Sequence, residues 1–118
     1  ENQMIEIIDG REPFIEGIET FVTHGHTPGL LHPIVSDGSN KLFYGADIFP
    51  MVAHIPIPWV MAYDVQPVVT MEEKQKLLQK MEREDWILFF EHDPHIQACS
   101  VHKDGKHYKL NKEIKISD

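Results

Sequence analysis

Cysteine is nearly absent: Cys99 stands alone in 118 residues, so no disulfide can close within the chain. A small buried hydrophobe is its expected role, and a reducing, cytoplasmic compartment is the simplest expectation for the chain. Long apolar runs are missing too. Trp86-Ile87-Leu88-Phe89-Phe90 falls far short of the ~20 residues a bilayer requires, and no basic-then-apolar leader opens the sequence, so no membrane partner is expected. Basic residues are scarce, with 11 Lys and Arg against 19 Asp and Glu for a net charge of -8. That is the wrong sign for gripping a phosphate backbone, so nucleic acid is not expected as a partner. Only the stretch Lys103 to Lys115 is locally basic, as the solvated face of a hairpin would be. No internal repeat or low-complexity tract is visible. The length suits a single domain over residues 1–118 with one core. The sequence opens on Glu1 and not on Met, which raises the expectation of a processed or trimmed piece of something longer.

What is present reads mostly as strands. Met4 to Ile8 and Ile18 to Val22 carry β-formers and are separated by Asp9-Gly10-Arg11-Glu12-Pro13, a turn composition. Leu30 to Val35 and Lys41 to Gly45 flank Ser36-Asp37-Gly38-Ser39-Asn40, where Asp-Gly supplies the positive φ of a tight reversal. Ala98 to Lys103 and Lys106 to Leu110 flank Asp104-Gly105 in the same way. From Ile48 to Pro67, Pro50, Pro56, Pro58 and Pro67 interrupt an apolar stretch holding Met51, Val52, Ile55, Ile57, Trp59, Val60, Met61 and Tyr63, which predicts a long irregular loop. Such a loop suits the wall of a substrate pocket; packing over a core or against a partner chain is the other reading. Thr70-Met71-Glu72-Glu73 has capping-box spacing and predicts a helix from Met71 to near Asp85, with Met71, Leu77, Leu78 and Met81 as its apolar stripe. The unbroken β-forming run Trp86 to Phe90 predicts a strand buried on both faces, and helix followed by buried strand is a unit of a layered α/β fold.

Three loop-end residues stand out against this frame. His26 lies between Gly25 and Gly29, with Pro28 stiffening the turn; Asp47 follows Tyr44-Gly45-Ala46 at a strand end; His92 follows the buried strand and precedes Asp93-Pro94. Two imidazoles and one carboxylate are a ligand set that suits zinc. Taken singly, Asp47 also reads as a turn cap and His92 as an ordinary strand-end histidine. His24 points away from His26 if the segment is extended, which makes it a supporting or surface residue. No comparable turn chemistry places His32, His95, His102 or His107. His54, Trp59 and Tyr63 lie in the candidate pocket wall and are expected to contact substrate there. A metal-buffering role is disfavoured because the eight histidines are dispersed.

The block Gly25-His26-Thr27-Pro28-Gly29, with the strand-end Asp47 and His92, resembles the carboxyl-terminal half of a metallo-β-lactamase-fold metal-dependent hydrolase, over about residues 18–95. The resemblance implies an αβ/βα sandwich of which this chain is one half, an α/β unit with one mixed sheet, one main helix and hairpins. It also implies that His26 binds one metal, that Asp47 bridges two, and that His92 binds the second, in a dinuclear zinc centre along a sheet edge. The family's His-x-His-x-Asp-His block, from the amino-terminal half, is absent from this sequence, and Leu30 and Leu31 stand where relatives often carry histidine after Pro-Gly. A dinuclear centre is therefore expected in a longer parent, and one zinc or none in this chain.

Two functions of different class follow. The first is a zinc-dependent hydrolase that attacks an ester, lactone or similar small substrate with metal-bound hydroxide. In it the loop from Pro50 to Tyr63 favours a hydrophobic acyl or aryl group, and Tyr63 serves catalysis by donating to a developing oxyanion. This chain alone is then expected to be inactive. The second is a non-catalytic half-domain whose uncovered sheet face pairs with a second copy or with a separate amino-terminal half.

Overall fold

In the computed structural model, residues 7–10 and 15–116 are described. The expected strand over Met4 to Ile8 and the turn that follows it lie largely outside them. Strand β1 (Ile18–Thr23) runs antiparallel to β2 (Leu30–Ser36), with Ile18 opposite Val35 and Thr23 opposite Leu30. Strand β3 (Lys41–Tyr44) returns along β2, with Ile34 opposite Phe43. The reversal between them is fixed by the Asp37 carboxylate, which accepts from the amides of Ser39 at 2.8 Å and Asn40 at 2.7 Å.

After β3 the chain makes two single-turn 3-10 segments, Ala46–Ile48 and Val52–His54, and then enters helix α1 (Pro67–Glu84). The helix starts earlier than the capping box predicted. Pro67 occupies its first turn, where a missing N–H and a fixed φ cost nothing. The supposed box residues are used for tertiary bonds: the Thr70 hydroxyl donates to Asp64 at 2.7 Å, and the Glu73 carboxylate accepts from the amides of His24 and Gly25 at 2.8 and 3.0 Å. Asp85, in the left-handed conformation, ends the helix.

Strand β4 (Ile87–Phe89) then lies parallel to β3, with Phe43 opposite Leu88. Strands β5 (Ala98–Asp104) and β6 (His107–Ile114) follow antiparallel, so the six-stranded mixed sheet has its strands in chain order.

One face of this sheet carries the core. Thr70, Lys74, Leu77, Leu78 and Met81 of α1 are buried, and the leucines and Met81 pack with Phe43, Phe49, Ile55, Trp86, Leu88 and Phe90. The strand from Trp86 to Phe90 is not buried on both faces. Trp86, Leu88 and Phe90 are buried in that core, while Ile87 and Phe89 are only half-buried on the other side. There Pro33, Val35, Leu42, Tyr44, Phe89 and Ile116 line an open apolar hollow, with Val35 46% and Ile116 49% exposed. The run is as apolar as a doubly covered strand, but among the described residues only one of its faces is covered. No described helix is long and apolar enough to cross a membrane. Cys99 is buried in the core, which pushes its thiol up to about 12.

His32 ties three strands together inside this core. It is fully buried and stacked on Phe43 at 5.0 Å; its Nδ1–H donates to the Tyr44 carbonyl at 3.0 Å and its Nε2 accepts from the Thr23 hydroxyl at 2.8 Å. Burial pushes its imidazole down to about 4, outweighing the Tyr44 bond and the Asp47 charge, which favour the proton.

Candidate metal centre

The loop between β1 and β2 carries His26, and the first turns of α1 hold that loop. Besides the two amides bound by Glu73, the Gly25 carbonyl accepts from the Gln66 amide at 2.8 Å and the His26 carbonyl from the Val65 amide at 3.1 Å. A β-carbon at Gly25 would lie 2.3 Å from the Thr70 nitrogen and hydroxyl, so only glycine permits this approach. His24 points its Nδ1 at the Gly29 amide, 3.1 Å away, and stays exposed.

Asp47 sits in the turn directly after β3. Ala46 before it takes φ +42, a strained conformation for a residue with a side chain, at the place where the carboxylate is aimed. The loop after β4 is stitched to the same turn: the Gly45 amide donates to the Phe89 carbonyl at 2.9 Å, and the His92 amide to the Pro50 carbonyl at 3.1 Å. Asp93 accepts from the amides of Val52, His95 and Ile96. Burial alone would raise the Asp93 carboxyl, but these amides outweigh it and hold it below the usual carboxylate range.

These three loops bring His26, Asp47 and His92 into one row. His26 Nε2 lies 3.5 Å from Asp47 Oδ2, and His92 Nε2 lies 3.2 Å from Asp47 Oδ1. His26 is nearly buried, while the side chains of Asp47 and His92 are 37% and 53% exposed, so the row is open on one side. Asp64, which the sequence reading did not single out, completes the arrangement. Its carboxylate, 1% exposed, accepts from His26 Nδ1–H at 2.8 Å and from the Thr70 hydroxyl at 2.7 Å. That bond fixes the imidazole and turns its Nε2 towards Asp47.

Of the other expected site residues, Tyr63 meets this row. Tyr63 sets its ring edge-on to His26 at 5.9 Å between centroids and is 67% exposed. Trp59 is 65% exposed, and its carbonyl is bound by Lys74. His54 is half-buried, and its Nδ1 is buried without a hydrogen-bond partner among the described residues. Burial, and then the Lys74 charge, push the His54 imidazole below its ordinary value, against a pull from Asp64.

Two imidazole nitrogens and a carboxylate are zinc-type donors, so the donor chemistry fits the metal. Among the described residues, however, no three or more His, Cys, Asp or Glu side chains are grouped tightly enough to hold an ion as they stand. The donors form a row about a central carboxylate, each imidazole on a different oxygen, and do not form a closed cage.

No protein-family model and no curated protein matches the sequence. Solved structures do. AidC, a dizinc quorum-quenching lactonase solved with its product, superposes with a TM-score of 0.80 at 20% identity, over 95% of this chain and 39% of its own. A probable metal-dependent hydrolase from Staphylococcus aureus gives a TM-score of 0.74 at 26% identity, over 88% of this chain and 39% of its own. The hydrolase AbOPH of the beta lactamase superfamily gives 0.72 at 22%, covering 88% and 36%. The architecture is therefore half of a metallo-β-lactamase fold. The chain spans about two fifths of the length of the structures it matches.

Proposed function

We propose that this chain supplies half of the metal centre of a zinc-dependent hydrolase acting on an ester, lactone or similar small substrate. The observation that carries the reading is the row of His26, Asp47 and His92, with the carboxylate shared between the imidazoles and His26 anchored from behind by Asp64. AidC, of the same fold, is a dizinc lactonase. Here His26 Nε2, Asp47 and His92 Nε2 would hold zinc, with further ligands supplied from outside this chain. Zinc in such a place acidifies water and polarises the substrate oxygen. Asp64 keeps the His26 ring oriented, and the exposed Tyr63 hydroxyl donates to the substrate oxygen as negative charge builds on it. Trp59 and His54 belong to the apolar wall that receives an acyl or aryl group.

The open apolar face behind β3 and β4 supports a companion statement: an amino-terminal half covers it in the active protein, and this chain alone is inactive. The test pairs zinc binding with turnover. The full-length protein is expected to bind zinc and hydrolyse aryl esters or lactones, and Asp47→Ala to lose both. Turnover that persists without zinc, or in Asp47→Ala, would refute the assignment.

A second reading is favoured by the same face: the half-domain self-associates through Val35, Leu42, Tyr44 and Phe89 as a non-catalytic module. Sedimentation distinguishes them. A stable zinc-free dimer of this chain with no turnover, disrupted by Phe89→Glu, would favour the module.

A further inference from the structure

Lys74 has no place in the hydrolase reading, yet its side chain is buried and held on three sides. It sits on the buried stripe of α1, one turn after Thr70, and is fully buried. An ammonium has three N–H donors, and each meets a carbonyl: Pro56 at 2.9 Å, Ile57 at 3.3 Å and Trp59 at 2.8 Å. Nζ also lies 5.6 Å from the centre of the Phe49 ring. The three carbonyls belong to the irregular segment whose Pro56 and Pro58 lack amide hydrogens, so ladder pairing is not open to it. Farther along, the same segment presents Tyr63 to His26 and reaches Asp64, which Thr70 holds. Two successive inward-facing positions of α1 thus pin both ends of residues 56–64.

We propose that Lys74 is a positioning residue of the candidate site: its ammonium clasps the 56–59 segment to α1 and so sets how Trp59 and Tyr63 stand towards the metal row, and loss of its proton loosens the segment. A methionine would fill the same volume but leave three carbonyls without their donor. A neutral amine keeps two N–H groups, so it must release one of them.

The charged and titratable groups facing Lys74 are Asp64, which favours the ammonium, and His54 of the Val52–His54 turn, whose imidazole is pushed down by burial first and by the ammonium second. Burial pushes Lys74 down to about 7 despite Asp64, so the clasp weakens as pH rises from neutral. Calling the segment a pocket wall rests on the hydrolase reading; the clasp does not, so segment order is measured separately from turnover.

The experiment uses the full-length protein labelled with 5-fluorotryptophan, the Trp59 resonance being assigned by its loss in Trp59→Phe, together with exchange of the Trp59 amide, which donates to Pro56 at 3.0 Å. At pH 6 the Lys74→Met variant is expected to lose about tenfold or more of the Trp59 amide protection while Trp86 is unchanged. The wild-type Trp59 resonance is expected to titrate as pH is raised from 6 towards 10.5, in His54→Asn as well but not in Lys74→Met. If turnover is found, KM is expected to rise more than kcat falls in Lys74→Met. Equal Trp59 order in wild type and Lys74→Met, or a wild-type resonance that does not move over that pH range, would overturn the proposal. Should Lys74→Met fail to fold, the wild-type and His54→Asn titrations decide it. Absence of turnover alone would count against the hydrolase reading and leave the clasp standing.

Discussion

Removing the Asp64 carboxylate is the sharpest test of how His26 is held. The group is buried and takes two bonds, from His26 Nδ1–H at 2.8 Å and the Thr70 hydroxyl at 2.7 Å. Hydrogen bonds to an ionised group contribute about 1.5–3 kcal/mol each, so Asp64→Ala is expected to lose roughly 3–6 kcal/mol, less whatever is regained by no longer burying a charge. Asp64→Asn separates geometry from charge. Its amide oxygen still accepts from His26, its NH2 donates to Thr70 Oγ, and the hydroxyl turns to the Gln66 carbonyl, 3.4 Å away. Stability then falls by only about 1 kcal/mol, but the imidazole loses the negative charge that makes Nε2 a better ligand. Zinc affinity is expected to fall about 10–100-fold. Competition with a chromophoric chelator measures that affinity in the full-length protein, and denaturant unfolding without metal measures stability. If Asp64→Asn bound zinc within about twofold of wild type while unfolding like wild type, the anchoring argument would fail.

Two further outcomes follow from the packing. His32 is held neutral in the fold with its imidazole down to about 4, whereas in the unfolded chain it takes a proton below 6.5; its stabilising contribution is therefore complete above 6.5 and lost as pH falls from 6.5 to 4. The loss is on the order of 3 kcal/mol, and the wild-type minus His32→Gln difference in unfolding free energy across that window should show it. Gly25→Ala places a methyl group against the backbone of Thr70 and should cost about 3 kcal/mol together with zinc affinity, read from thermal melts and chelator competition.

What could be read in the sequence was what local chemistry decides. The hairpins at Asp37-Gly38 and Asp104-Gly105 were legible because a reversal demands positive φ at a particular place, and both glycines take it, at +90 and +61. His26, Asp47 and His92 stood out because turn residues next to strand ends position them. What depends on distant partners was hidden. Thr70 and Glu73 match a capping box letter for letter, yet their bonds go to Asp64 and to the His24 and Gly25 amides, the latter 49 and 48 residues from Glu73. Nothing local marks Asp64, since its partners lie 38 residues before it and six after it. A lysine on a helix reads as solvated, and only three carbonyls folded back from another segment make Lys74 an inward residue. The run from Trp86 to Phe90 reads as covered on both sides because it is apolar at every position, whichever face that position takes.

The chain-order sheet divides the work of folding in an uneven way. Backbone pairing from β1 through β6 is made between consecutive stretches, whereas Leu42, Tyr44 and Phe89 still look outward. A second layer laid on that face would exchange no ladder bonds; it would meet a finished slab, and apolar surfaces in contact resist sliding only weakly. Alignment of the two slabs would then have to come from their seam. Asp47 and His92 stand in loops at the strand ends of β3 and β4, so the row they form with His26 would act as a latch whose closure sets the offset between layers. A slip of about 1 Å would be enough to unmake it.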